Sequence, residues 1–285
     1  MKVTIGADPE VFVKNANGKF VSAHGMIPGT KHEPFKVRNG AVQVDGNALE
    51  FNIDPAATKT QFITNIKEVY KQMGEMVPGY NLAITPTAVF DKDYFDQLPP
   101  AAKELGCDPD FDAWERKVNT RPHTDEPFRT AAGHLHFGWR GLKSEGFVDT
   151  VADIDDPNHF DDCCLVAKEM DYYLGIQSLH WDKDGTRRML YGKAGAFRPK
   201  PYGVEYRTLS NAWLQSEELM GWVYEAAQRG MRNISQGIYM NALYGSQARS
   251  IINENMTEWR HHYRFGSMEL PPLPKLGVTD GSTIS

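Results

Sequence analysis

The sequence is short of cysteine. Its 285 residues hold three, Cys107, Cys163 and Cys164. The count is odd, two are adjacent and none has zinc-finger spacing, which argues against a disulfide scaffold or a cysteine-built zinc module and fits free thiols in a reducing compartment. No apolar run approaches membrane-spanning length, and the start MKVTIGADPE carries no apolar signal segment, so the expected location is cytoplasmic. Positive charge is scarce: 31 Lys and Arg face 37 Asp and Glu, a net charge of -6. A general nucleic-acid binder needs the opposite footprint, although a nucleotide remains open as a substrate. A Walker A loop, a dinucleotide fingerprint and a nucleophile elbow are all missing.

What is present is a globular composition, 41% hydrophobic and 24% charged, with length enough to bury a real core. The little positive charge is concentrated in one stretch, Arg187 to Arg207 (RRMLYGKAGAFRPKPYGVEYR). It gathers Arg187, Arg188, Arg198, Arg207, Lys193 and Lys200 around one acidic residue, Glu205. Such a loop in an acidic protein suggests a local anion site. It ends in a predicted strand over Gly203 to Leu209, where alternation puts Glu205 and Arg207 on one face and Val204 and Tyr206 on the other. A carboxylate beside a guanidinium suits a metal-bound polyphosphate, the first holding a hard cation and the second taking phosphate or carboxylate oxygens.

Three other stretches repeat this two-faced design. Residues 2 to 14 read as a strand, a turn at Gly6 to Pro9 and a second strand, with Asp8 and Glu10 sharing a face if extended. Val42 to Ile53 reads as strand with an interruption at Gly46-Asn47; Leu49, Phe51 and Ile53 take one face, Glu50 and Asn52 the other. Ala131 to Trp139 (AAGHLHFGW) puts His134 and His136 opposite Leu135, Phe137 and Trp139. A sheet with one polar and one apolar face is typically antiparallel, with helices on the apolar side. A polar face of three glutamates, two histidines and an arginine is costly unless neutralised, and magnesium with a nucleoside triphosphate would do so. Two strand histidines at i and i+2 lie about 6–7 Å apart, a spacing for two roles in one site or two ligands of one metal. With carboxylates as the other donors, Mg²⁺ or Mn²⁺ suits them better than zinc.

The remainder is scaffold. A hairpin returns over Lys19 to Ser22 after the turn NANG, and Pro28 to Gly40 reads as loop. Thr58 to Met76 is an amphipathic helix with Phe62, Ile66, Val69 and Met73 at helical spacing and a threonine cap at Thr58 or Thr60. Tyr80 to Phe90 reads as a further strand. Asp91 to Phe128 is a long loop or insertion with a short helix near Ala101 to Leu105. Helices are expected at Asn158 to Gln177, Gln215 to Ile234 and Ile238 to Trp259. His24, His32 and His123 read as solvated loop residues, His180 as structural and His261-His262 as a solvated helix end. Asp153, Asp155 and Asp156 lack the glycine and glutamate of a calcium loop. Cys163 and Cys164 read as packing residues.

GADPE, DGNALEFN, AGHLHFGW and YGKAGAFRPKPYGVEYRTLSNAW occur in the order and style of the carboxylate–amine ligases. The chain resembles these amidoligases, relatives of glutamine synthetase and glutamate–cysteine ligase, and most closely the phage-encoded type 2 group. The resemblance spans residues 4 to 213; its most specific parts are the G-x-H-x-H strand and the Arg-rich segment ending in E-x-R. It implies an α+β fold, a curved antiparallel sheet forming a funnel with helices packed outside, in a single catalytic domain over residues 1–270 followed by a Pro-, Gly- and Ser-rich tail at 271–285.

The activity it implies joins a carboxylate to an amine, small-molecule or macromolecular, with ATP and about two or three Mg²⁺ ions, through an acyl phosphate. A phage-encoded member would work in the host cytoplasm. Carried over by position, Glu10, Glu50, Glu205 and His134 are metal ligands. His136, Lys193 and Arg198 contact the nucleotide. Arg187 or Arg188, with Arg198, stabilises the transferring phosphoryl group, and Arg207 holds phosphate or the substrate carboxylate. Relatives carry E-x-E in the early strand where this chain has Asp8-Pro9-Glu10, so Asp8 is either a ligand or a turn residue. Asp45, Asn47, Asn52 and the loop from Asp91 to Arg129 are amine-site candidates by location alone. A phosphotransferase on the same scaffold and a non-catalytic nucleotide- or metal-binding module are the alternatives.

Overall fold

Alternation of apolar and polar residues builds the molecule around one antiparallel sheet. The computed structural model describes residues 2–103, 110–120, 126–140, 155–266, 268 and 270–275. Cys107, His123, Asp153, part of the 91–128 segment and most of the expected tail lie outside the described residues.

In chain order the elements are β1 (Lys2–Lys14), β2 (Phe20–Val21), β3 (Phe35–Val37), β4 (Gly40–Asp45), β5 (Ala48–Ile53), α1 (Lys59–Glu75), β6 (Asn81–Ala83), β7 (Thr87–Val89), α2 (Lys92–Asp96), α3 (Pro100–Lys103), β8 (Phe111–Asp112), β9 (Lys117–Val118), β10 (Phe128–Thr130) and β11 (Gly133–Arg140). Then come α4 (His159–Met170), a π-helical turn over Asp171–Gly175, α5 (Ile176–Ser178), α6 (Thr186–Leu190), β12 (Ala196–Lys200), β13 (Gly203–Tyr206), α7 (Glu217–Ser235), α8 (Met240–Tyr244) and α9 (Gln247–Asn253). Among the described residues the large sheet has 11 strands, in the order β3-β4-β5-β1-β11-β13-β12-β8-β9, with β2 and β6 paired to the far half of β1. A separate pair joins β7 to β10.

The apolar face of the sheet carries Ile5, Val11, Leu49, Phe51, Leu135, Phe137, Trp139, Val204 and Tyr206, all buried. Helices α1, α4 and α7 pack behind it. Helix α1 starts where the Thr58 hydroxyl accepts the Gln61 N–H at 3.2 Å, and it buries Phe62, Ile66, Val69 and Met73. The Phe62 ring stacks on Trp213 at 5.9 Å. The architecture is therefore α+β, a large antiparallel sheet flanked by helices. Among the described residues no helix is long and apolar enough to cross a membrane.

Several boundaries differ from expectation. Strand β1 runs unbroken through Gly6 to Pro9, because β11 pairs with it residue by residue from Lys2↔Arg140 to Pro9↔Gly133. The predicted strand with an interruption at Gly46-Asn47 is a hairpin, Gly46 supplying the positive φ of 55° that a two-residue turn requires. The expected loop at 28–40 contains β3, and Tyr80 to Phe90 splits between the two sheets. The helix expected over 238–259 breaks at Gly245, where φ is 61°. The tip of the β12–β13 hairpin presses against β11: a Cβ on Gly203 would fall 2.0 Å from the Phe137 carbonyl oxygen, so only glycine fits there.

Candidate functional site

The polar face of the sheet floors a cleft of about 720 Å³, within the size range of small-ligand sites. Strand pairing assembles its floor from distant parts of the sequence. Glu10 lies opposite Glu50, and Glu50 opposite Gln43. Asp8 lies opposite His134, His136 opposite Glu205, and Glu205 opposite Arg198. The period of two keeps Asp8 and Glu10, His134 and His136, and Arg198 and Lys200 on the same face.

Two clusters of hard ligands result. In the first, one donor atom each from Asp8, His136 and Glu205 lies within 4.8 Å of the others; in the second, Glu10, Asp45 and Glu50 do the same. The first is wrapped in cations. Glu205 is fully buried and pairs with Arg207, with Lys200 Nζ at 2.7 Å and with Arg198 Nη1 at 3.3 Å. Burial, the largest single influence, would raise its carboxyl, but Arg207 together with His134 and His136 holds it far below the usual range. Asp8 is likewise pushed up by burial and pulled well below normal by His136 and His134. Asp8 Oδ1 stands 3.3 Å from His134 Nδ1 and 3.0 Å from His136 Nε2. Both atoms of the latter contact are buried, and the contact pairs the carboxylate with the ring across adjacent strands.

The second cluster has the opposite electrostatics. Burial first, and then Asp45, raises the Glu10 carboxyl to about 7. Burial, then Asp8, Asp45 and Glu10, raises Glu50 well above normal. Burial also raises Asp45, against the pull of Lys31 and Arg207. Few polar contacts hold the group: Glu10 Oε2 accepts the Ala132 N–H at 2.8 Å and Glu50 Oε2 accepts from Gln43 Nε2 at 2.8 Å.

His134 sits between the clusters and the arginines, 3.4 Å from Arg187 Nη2 and 3.5 Å from Arg207 Nη1. Burial, then Arg207, lowers it to about 4, so it faces the cleft as a neutral ring. Arg187 lines the cleft, donating to the carbonyl oxygens of Thr208 at 2.9 Å and Arg207 at 3.0 Å; burial lowers it to about 10. Arg207 also donates from Nε to Asp110 at 3.1 Å, which ties in the expected functional loop.

Seven of the predicted residues converge: Glu10, Glu50, His134, His136, Arg187, Arg198 and Arg207 all line the cleft, and Glu205 lies directly beneath their cations. Arg188 and Lys193 are not among the lining residues. Arg188 points elsewhere, donating to Asp182 Oδ2 at 2.9 Å and to Asn255 Oδ1 at 2.9 Å. Neighbouring residues on a helix diverge by about 100°, so α6 can offer only one of the two arginines. Lys193 is exposed. The sequence reading assigned no role to Lys200 or Tyr202. Lys200 was legible two residues from Arg198 on the same strand face; Tyr202, at a hairpin tip, gave no signal.

The donor set fits a hard divalent cation. Carboxylate oxygens dominate both clusters, and the second holds three half-buried acids with too little positive charge.

No family model matches this sequence, and no curated protein does. Among solved structures, the crystal structure of a bifunctional glutathione synthetase from Pasteurella multocida aligns over 91% of this chain and 44% of that one, with 11% identity and a TM-score of 0.43. The chain thus spans less than half the length of that protein, and a likeness at this level bears on neither activity nor substrate.

Proposed function

We propose that the protein is an ATP-dependent carboxylate–amine ligase of the amidoligase type, forming an amide through an acyl phosphate. The observation that carries this reading is the adjacency, in one cleft, of two carboxylate-rich clusters and a bank of Arg198, Lys200 and Arg207. Acidic ligands alone would suit a simple cation store, and a cationic bank alone an anion site. Together they suit a metal-bound polyphosphate beside a second, carboxylate-bearing substrate.

In this reading Glu10, Asp45 and Glu50 hold one Mg²⁺ and Asp8, His136 and Glu205 another, with His134 alongside. Bound there, Mg²⁺ neutralises charge on the ATP phosphates and the attacking oxygen. Arg198 and Lys200 grip the polyphosphate, and Arg187 and Arg207 stabilise the charge that builds on the transferring group. The substrate carboxylate oxygen attacks the γ-phosphorus, the bond to ADP breaks, and an acyl phosphate forms. The amine nitrogen then attacks the acyl carbon, the carbon–oxygen bond to phosphate breaks, and phosphate leaves with the proton the nitrogen gives up. The protein contributes position and charge rather than a covalent group.

A hydroxylamine trap tests this. The protein is mixed with ATP, Mg²⁺, hydroxylamine and pools of carboxylic acids or peptides. Hydroxamate and ADP formed together support the ligase. ADP with a stable phosphorylated product and no hydroxamate makes it a phosphotransferase. Thermal stabilisation by Mg²⁺ and ATP without any ADP makes it a binding module.

A further inference from the structure

We infer that the end of the cleft beyond Glu10 recognises an amide on an apolar body, through Asn47, and that the amine substrate is an α-amino amide: a free amine beside a carboxamide or peptide group, with an apolar side chain. Calling this group the amine substrate rests on the ligase reading. The recognition of an amide by Asn47 rests on geometry alone.

The floor of the cleft changes character along β1. On its polar face Asp8 and Glu10 are followed by Phe12, and on β5 Glu50 is preceded by Ala48. Phe12 and Ala48 belong to one small apolar cluster, and both line the cleft. The Glu10 N–H donates to the Ala132 carbonyl at 2.9 Å, which brings the end of β10 to this side, and Phe128 and Thr130 of β10 also line the cleft. Past the three acids, then, the cleft offers apolar surface to a substrate whose amine points back towards the clusters.

Asn47 supplies the polar contact at this end. It sits at the tip of the β4–β5 hairpin, where a side chain is usually solvated, yet it is only 2% exposed. Ser22 and Ala23 cover the tip: the Ala23 N–H donates to the Asn47 carbonyl at 3.2 Å, and the Ser22 N–H donates to the Tyr94 hydroxyl at 2.9 Å. The residue lines the cleft, and neither Oδ1 nor Nδ2 has a hydrogen-bond partner among the described residues. Buried amides are normally paired, and this one presents an acceptor and a donor side by side. Another amide carries the complementary pair whichever way Asn47 is turned. A carboxylate carries acceptors alone and an ammonium group donors alone.

The test measures binding to the whole chain without ATP or metal. The probes are L-leucinamide, L-leucine methyl ester, which keeps the acceptor and loses the amide donors, and glycinamide, which loses the apolar side chain. Wild type should bind L-leucinamide about tenfold or more tightly than either relative. The same titration should shift the side-chain ¹H–¹⁵N signal of Asn47, identified by its loss in Asn47→Leu. Leucine keeps the branched shape without the hydrogen-bonding atoms, and Asn47 is not one of the residues with positive φ, so the backbone accepts it. That variant should bind L-leucinamide and its methyl ester alike, a change of ratio that a merely structural role would not produce. Asn47→Ala adds no bulk and should give the same ratio, whether or not leucine fits. Equal binding of amide and ester by wild type, an Asn47 signal unmoved by L-leucinamide, or a variant that keeps the preference for the amide overturns the inference. The hydroxylamine trap judges the ligase separately. Hydroxamate from a protein that does not bind L-leucinamide leaves the ligase and removes this substrate class; L-leucinamide bound through Asn47 without hydroxamate keeps the amide site and removes the ligase.

Discussion

The two clusters on the sheet are built from the same residue types, yet they sit at opposite ends of the electrostatic scale. Around Glu205, three cations favour the ionised form of a buried carboxylate. Around Glu50, burial first and then the charges of Asp8, Asp45 and Glu10 raise the group until protonation competes with charge. Distance cannot explain the contrast, since Asp8 and Glu10 are two residues apart on one strand. What differs is the neighbouring strand: β12 and β13 bring Arg198, Lys200 and Arg207 to the first cluster, whereas β4 brings only Asp45 and Gln43 to the second. The first cluster is therefore a stable structural element before any ligand arrives. The second carries unbalanced negative charge that a bound cation would neutralise.

That contrast can be broken most severely at Glu205. Glu205→Gln should reduce ATP turnover about a hundredfold or more. It should also destabilise the fold by about 3 kcal/mol, because it leaves three buried or half-buried cations without their counter-charge. Full burial and the triple ion pairing are the physical reason to expect a loss of folding as well as of turnover. Denaturant midpoints beside turnover rates measure both effects.

Next in size is the response to cations. Mg²⁺ at about 100 times its Kd should stabilise the protein by about 2.7 kcal/mol, and more at pH 8 than at pH 5. The sign follows from Glu10. Its folded value near 7 lies above the ordinary 4.5, so its contribution to stability is full below the unfolded value and is lost as pH rises through about 7. Asp8 and Glu205 are depressed, so their contributions are lost only in acid and do not blur this window. Melting curves from pH 5 to pH 8, with and without Mg²⁺, should diverge as pH rises; parallel curves would sink the idea that the second cluster lacks counter-charge.

Glu50→Gln is the milder test. Relieving the repulsion should raise the metal-free Tm by about 2–4 °C while reducing the Mg²⁺ response. The smallest effect is expected from Lys200→Met. Glu205 keeps Arg198 and Arg207, so stability should change by less than about 1 kcal/mol, while ATP binding measured by calorimetry weakens.

Much of this layout was legible because strands have a period of two. Leu49, Phe51 and Ile53 against Glu50 and Asn52, or Leu135 and Phe137 against His134 and His136, announce a two-faced strand without any knowledge of partners. Helix α1 declared itself through its cap and its apolar spacing. The failures share a cause, which is that the deciding neighbour lies far away in sequence. Gly6 to Pro9 has turn composition, yet it is extended because β11 holds it. Asp45 stood out in the sequence only as an amine-site candidate by location, and it joins a carboxylate cluster because the sheet brings Glu10 and Glu50 beside it. Arg187 and Arg188 are indistinguishable as letters, and only the orientation of α6 separates them. Tyr202 sits at a hairpin tip that Gly203 lets press against β11, and a glycine signals no partner.

The unbroken course of β1 has a consequence for how the protein can change. Asp8 and Glu10 anchor different clusters from one rigid rod, so their interval of about 6.8 Å is fixed by covalent dimensions and cannot be tuned by loop motion. A single inserted residue beside Pro9 would turn Glu10 and everything after it to the opposite side of the sheet. The spacing between the two clusters is in effect a ruler built into the chain. New specificity can arise at the walls of the cleft, but the interval at its floor can only be kept or lost.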